Sequence, residues 1–184
     1  LTSRYDHADA ELDNNGGIGA DDLNRVLRHH QLFTRAEAQT TFFDGKLHQT
    51  FGIGFSDQAF RDNNDPDVAH PKDVLRSHYV GRLLKLDFQN DIEVAKWVKL
   101  IVGAETEKER GNSQYFSDGD FGPFQGDFDE RTARTNGYYS QALLNFDNRL
   151  FTSAGVRVDD HSKFGSKISW RIAPTYRITS SGTK

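Results

Sequence analysis

The chain has 184 residues, 35% hydrophobic, 12% aromatic and 27% charged, with a formal net charge of −4. A spanning helix needs about 20 mostly apolar residues, and the longest uncharged run, Thr135 to Phe146, stops at about twelve, so a helical membrane protein is excluded. The 14 Phe and 6 Tyr exclude a permanently disordered chain, and the acidic balance lacks the basic footprint of a nucleic-acid binder.

Cysteine is absent, so there is no disulfide framework and no thiolate metal site. The chain begins at Leu1, holds no methionine and shows no signal peptide. It is therefore expected to be an interior piece of a longer protein.

In chain order the dominant repeat is two, the period of a strand. Leu1 to His7 suggests a short first strand. Leu32, Ala36, Ala38 and Phe42 oppose Arg35, Glu37, Gln39 and Thr41. Leu47, Phe51, Ile53 and Phe55 oppose His48, Thr50, Gly52 and Gly54. Val80, Leu84, Leu86 and Phe88 alternate with Leu83, Lys85 and Asp87, although Arg82 interrupts the apolar side. Val98, Leu100, Val102 and Ala104 alternate with Lys99, Gly103 and Glu105. Tyr138, Ala142, Leu144 and Phe146 share a face, as do Val156 and Val158. Last come Ile168, Trp170, Ile172, Pro174, Tyr176 and Ile178 against Ser169, Arg171, Ala173, Thr175 and Arg177. On a helix these residues would wind around the axis rather than form a stripe. The expectation is about eight strands and no helix.

The connections alternate in length. Asp44-Gly45 signals a two-residue hairpin of the primed type, Asp147-Asn148 another tight turn, and 89–96 a somewhat longer one. A fourth begins at Ser180. The stretches 9–28, 61–73 and 111–131 read as long polar loops rich in Asp, Asn and Gly, with 159–165 a shorter member of that set. Short turns at one end and long loops at the other are the habit of an outer-membrane barrel. The alternating runs reach about 11–13 residues, near the ~9–11 that cross a bilayer at a tilt, where soluble strands run to ~5–6. Phe42, Phe43, Trp97, Phe146, Phe151 and Tyr176 stand near strand ends, as interfacial girdles require.

Three stretches carry a family resemblance: Gly137-Tyr138-Tyr139-Ser140-Gln141, Phe146-Asp147-Asn148-Arg149-Leu150-Phe151, and Ala154-Gly155-Val156-Arg157-Val158-Asp159-Asp160-His161. With Trp170-Arg171-Ile172-Ala173-Pro174-Thr175-Tyr176-Arg177 they resemble the barrel of TonB-dependent outer-membrane receptors, and among these most the cobalamin (vitamin B12) type. The resemblance implies an all-β, antiparallel up-and-down meander that is part of a larger, 22-stranded transmembrane barrel with a plugged lumen. Residues 1–184 would be a partial barrel domain without the plug domain or the C-terminal strands. It implies no enzyme, but a bacterial outer-membrane receptor for a small nutrient, most closely cobalamin. Its partners would be outer-membrane lipid and, through the missing plug, TonB. A ferric siderophore or heme receptor of the same fold is an alternative, and a soluble secreted β-domain that binds carbohydrate is another.

Three sets of candidate site residues follow. The acidic stretch with Asp9, Glu11, Asp13, Asn15, Asp21 and Asp22 approximates a calcium loop, hard oxygen ligands spaced about Gly16, or else a solvated acidic loop rich in turn formers. Tyr115, Phe116, Phe121, Phe124 and Phe128 lie in or beside a glycine-rich stretch, where they would grip a ligand or pack loop on loop. Arg35, Glu37, Arg157, Arg171 and Arg177 form a charged ladder facing the lumen, which in a whole receptor would pack against the plug. The adjacent His29 and His30 point to opposite faces of a strand and cannot readily share a metal. His161 beside Ser162 evokes a catalytic dyad, but sequence neighbours rarely form one.

Overall fold

The computed structural model describes residues 1–12 and 24–178. Eight strands follow one another along the chain: β1 (Thr2–Glu11), β2 (Val26–Phe42), β3 (Leu47–Asn64), β4 (Val74–Ala95), β5 (Val98–Asp118), β6 (Phe124–Phe146), β7 (Leu150–His161) and β8 (Gly165–Tyr176). They form one antiparallel sheet in sequence order, with β1 and β8 at its edges. Among the described residues there is no helix.

Register explains the alternation. In the last three strands Tyr138, Val158 and Ile168 stand in one row across the sheet, followed by Ser140, Val156 and Trp170, and then by Ala142, Ala154 and Ile172. The intervening rows hold Tyr139, Arg157 and Ser169, then Gln141, Gly155 and Arg171. A period of two puts these rows on opposite faces, so one face is apolar and the other polar. Nothing among the described residues covers the apolar face. Trp170 is 76% exposed, Ile168 68% and Tyr138 58%, while Ala59 is the one described hydrophobic side chain that counts as buried.

The strands run longer than the alternation suggests, with β4 at 22 residues, β5 at 21 and β6 at 23. The polar stretch 111–131 is therefore mostly ladder, and its connection shrinks to 119–123. Likewise the turn expected over 89–96 reduces to Lys96 and Trp97. Asn90 breaks the stripe between Phe88 and Ile92, and the neighbours Tyr115 and Phe116 point to opposite faces, so the alternation is interrupted in both segments, yet paired backbone amides hold a wet strand as well as a half-buried one.

At the first hairpin the left-handed residues are Phe43 (φ 55°) and Asp44 (φ 54°), followed by Gly45 (φ 88°). The turn spans 43–46 and closes with Lys46 N–H donating to Phe43 O at 3.2 Å, so Asp44 and Gly45 are its central pair, as the Asp-Gly signal predicts, and the left-handed Phe43 before them is the departure. Asp147 (φ 52°) and Asn148 (φ 54°) take the primed-turn conformation that Asp and Asn tolerate. Asn145 Nδ2 donates to Asn148 Oδ1 across that turn at 3.1 Å.

The chain divides into two compact units. One comprises Leu1–Arg35, Phe55–Leu84 and Glu109–Thr132, the other Ala36–Gly54, Lys85–Lys108 and Ala133–Lys184.

Candidate functional site

The densest polar constellation lies on the polar face of the second unit, from β4, β5, β6 and β7. Glu105 stands between two cations, with Lys85 Nζ at 3.0 Å and the Arg157 guanidinium in direct contact. Lys85 also lies 3.6 Å from Glu107. Arg157 Nε donates to both oxygens of Asp159, at 2.8 and 2.9 Å. Beside it, Tyr139 donates its hydroxyl proton to Gln89 Oε1 at 2.9 Å, and the Arg157 Cζ lies 5.9 Å from the Tyr139 ring centroid. Gln89 donates onward to Asp91 at 2.7 Å, and Asp91 accepts from Lys99, also at 2.7 Å.

Two glycines make room for this crowding. A Cβ on Gly103 would fall 2.2 Å from Tyr139 Cζ, and one on Gly137 would meet Arg157 Nη2 at 2.6 Å. The tyrosine ring therefore lies against the β5 backbone at Gly103. Cations and anions alternate, with hydrogen bonds already satisfied within the sheet. Such a surface suits docking of a polar partner.

The first unit holds separate features. Arg25 binds Asp62 through Nε at 3.1 Å and Nη2 at 2.7 Å, a bidentate pair with both side chains mostly buried. His29 stacks on Phe60 with centroids 5.0 Å apart and faces Asp6 at 3.7 Å. His30 turns the other way, to Asp57 at 3.4 Å, as alternation requires. In the connection 65–73, Asp67 accepts the His70 backbone N–H at 2.5 Å. That hydrogen bond holds the Asp67 carboxyl below its ordinary pKa.

The expected site residues distribute as follows. Asp9 and Glu11 lie on β1, where the Asp9 carboxylate is 3.6 Å from both His7 Nε2 and Arg28 Nε. Asp13, Asn15, Asp21 and Asp22 lie outside the described residues. Tyr115 and Phe116 belong to β5, Phe124 and Phe128 to β6, and only Phe121 sits in a connection, fully exposed. Tyr115 meets Phe124 edge-on at 5.9 Å, while Phe128 lines an open groove of about 220 Å³ with Phe60 and Tyr79. Of the charged ladder, Arg35 and Glu37 lie on β2, Arg157 on β7, Arg171 on β8 opposite Gly155, and Arg177 just beyond β8. The partners of Arg157, Glu105 and Asp159, are outside that set.

Lys85, Gln89, Glu105, Tyr139 and Asp159 were not singled out as site residues, although the parity of each strand puts them on the face opposite the apolar stripe. Among the expected girdle residues, Trp97 stacks on Phe146 at 5.4 Å, but Phe151 stands opposite Asn145 on the polar face. Ser162 Oγ accepts the Arg134 backbone N–H at 2.9 Å, and His161 Nδ1 accepts that of Lys163 at 3.1 Å, so the two side chains serve the β7–β8 turn.

The sequence matches the family described as TonB dependent receptor-like, beta-barrel, over residues 1–183. Among solved structures, it is similar to a chain in "Structure of the RagAB peptide transporter", with a TM-score of 0.57 and 17% identity. That match covers 84% of this chain and 20% of the other, so this chain spans a fifth of that relative's length. At such identity the likeness speaks for the fold alone. No curated protein matches the sequence. The meander, its two-faced strands and the match over nearly the whole length agree: the chain belongs to the TonB-dependent-receptor-like β-barrel family.

Proposed function

We propose that this chain is a stretch of barrel wall in an outer-membrane receptor that imports a small nutrient with energy from TonB. The carrying observation is the uncovered apolar face, on which large side chains such as Trp170 and Ile168 stand mostly exposed. A soluble β-domain would bury such a face in a core, whereas a barrel wall presents it to lipid. The polar face, with Glu105 and Arg157 at its centre, then lines the lumen, where Arg35, Glu37, Arg171 and Arg177 join it as contacts for a plug. TonB acts through that plug.

Cobalamin is the ligand we assign to the whole receptor, on the resemblance of residues 137–177, with the aromatic groups around Phe121 and Phe128 as contacts near the outer rim. The test is uptake of labelled cyanocobalamin by cells that have this receptor as their sole route. Uptake that needs both the receptor and TonB supports the assignment. Uptake only of a ferric siderophore, heme or oligopeptide in parallel cultures replaces the ligand and leaves the barrel standing. A receptor recovered in the aqueous fraction without detergent sinks the barrel itself. The acidic stretch keeps its reading as a calcium loop, tested by titrating calcium into the whole receptor; absence of heat, or heat unchanged in Asp13→Ala, removes it.

A further inference from the structure

The first unit carries a groove of about 220 Å³ across β3, β4 and β5. The strand period puts its residues Gln58, Phe60, Tyr79, Gly111 and Ser113 on the polar face, opposite the side of Phe55, Leu84 and Val102. Glycine shapes the floor. Gly81 and Gly111 leave bare backbone on adjacent strands, and a Cβ on Gly81 would meet the Gln58 amide nitrogen at 3.0 Å, so that amide lies across the floor. Phe60 and Tyr79 form walls, and Phe128 of β6 also lines the groove.

His29 stacks on one side of the Phe60 ring at 5.0 Å, yet Phe60 stays 38% exposed and Tyr79 46%. Among the described residues, no ring contact joins Phe60, Tyr79 and Phe128 to one another, so space is left between them. Among the same residues, the Gln58 amide and the Tyr79 and Ser113 hydroxyls make no side-chain hydrogen bond. The second unit differs, because Tyr139, Gln89 and Asp91 there satisfy one another. None of the described side chains lining the groove is charged. Glu109, two residues from Gly111 on the same face, forms no ion pair among the described residues.

Exposed ring faces beside unused amide and hydroxyl groups, without charge, match one ligand chemistry. A pyranose has a C–H face that packs on an aromatic ring and a rim of hydroxyls that donate and accept hydrogen bonds. A purely apolar ring would leave Gln58 and Ser113 unpaired, and an anionic one would approach Glu109 with no cation in the lining. We infer that this groove binds one neutral sugar ring, packed against Tyr79 and Phe60 and hydrogen-bonded by Gln58 and Ser113. Its volume of about 220 Å³ is below the ~300–1,000 Å³ of sites that enclose a drug-sized ligand, so it takes one ring of a longer molecule. Phe60 lies four residues before the end of β3 at Asn64, about 13 Å along the strand. The connection beyond, 65–73, is one of the long ones, and long loops are extracellular in outer-membrane barrels. The ring therefore meets the groove from the outer side. This access rests on the receptor reading given above, whereas the ligand chemistry does not rest on cobalamin.

The experiment titrates the whole receptor, purified in a detergent without sugar headgroups, and follows binding by saturation-transfer NMR. The probes are neutral hexasaccharides of glucose and of mannose, a uronic-acid hexasaccharide, and cyanocobalamin. A neutral hexasaccharide is expected to bind and the uronic-acid one not. Phe60→Leu and Tyr79→Leu should each weaken the binding about fivefold, and Gln58→Met by a similar factor. Tyr79→Phe, which keeps the ring, should retain most of it. Gly111→Leu should abolish it, since its Cβ meets only Val80 O at an ordinary 3.5 Å and the rest of the side chain fills the groove. Binding of neither neutral hexasaccharide, equal binding of the uronic-acid one, or no loss in Gly111→Leu overturns the proposal. Cyanocobalamin bound in place of any sugar, and lost in Gly111→Leu, also overturns it. A protein that is soluble without detergent and still binds sugar through Tyr79 sinks the receptor reading and leaves the groove standing.

Discussion

At the scale of single residues, the close approach of Tyr139 to Gly103 gives a sharp test. With a Cβ only 2.2 Å from Tyr139 Cζ, Gly103→Ala must expel the ring and break its hydrogen bond to Gln89. Such overpacking costs about 1–3 kcal/mol, read as a lower urea midpoint for the whole receptor in liposomes. Gly103→Ala with Tyr139→Leu should recover part of the loss. The Glu105–Arg157 pair is part-exposed, so Glu105→Gln and Arg157→Gln in a double-mutant cycle should couple by about 1 kcal/mol, no more. Asp67 gives a pH dependence with a definite sign. Its folded pKa is lowered, so its stabilisation of the 65–73 connection is fully present above the unfolded pKa and is lost as pH falls through the folded one. Hydrogen exchange at the His70 amide, corrected for intrinsic rate, should lose protection over that acidic window. In Asp67→Asn it should be weakly protected at every pH.

At the scale of elements, the two faces of a strand respond differently to charge. Leu86 is 45% exposed on the apolar face of β4, and in a soluble sheet Leu86→Arg would change stability by about 0.5 kcal/mol or less. Facing lipid near mid-depth, it should cost about 2–4 kcal/mol. The same liposome assay separates the cases, with Thr175→Arg, opposite Phe151 on the polar face, as the near-neutral control. This contrast between faces is also why β7 and β8 were legible in the sequence. Val156 and Trp170 against Arg157 and Ser169 leave no doubt about parity. It fails along 105–118, where Glu105, Glu107 and Glu109 alternate with Thr106, Lys108 and Arg110, and the ladder from 111 onward reads as loop. The Lys85–Glu105–Arg157 cluster was legible only in part. Parity gives its face, but its assembly depends on the offset between neighbouring strands, which their own sequences do not state. The turn at Asp44-Gly45 was legible from that pair, whereas the left-handed Phe43 beside it was not, because that conformation is rare for an aromatic residue.

At the scale of the molecule, an eight-stranded sheet with free edges at β1 and β8 and one uncovered apolar face should not persist alone in water. Residues 1–184 produced without detergent are expected to sediment, whereas a monodisperse soluble monomer would contradict the barrel wall. Exposed strand edges and apolar surface both drive that association. The uncovered face also decides where the stability of this wall resides. Most proteins carry their apolar solvent inside them, as a core whose composition mutation alone can alter. Here the role of a core passes to the surrounding liquid, so its chain length, thickness and fluidity become adjustable parts of the fold. Exchanging one detergent for another is then equivalent to replacing dozens of interior side chains at once, with the sequence unchanged.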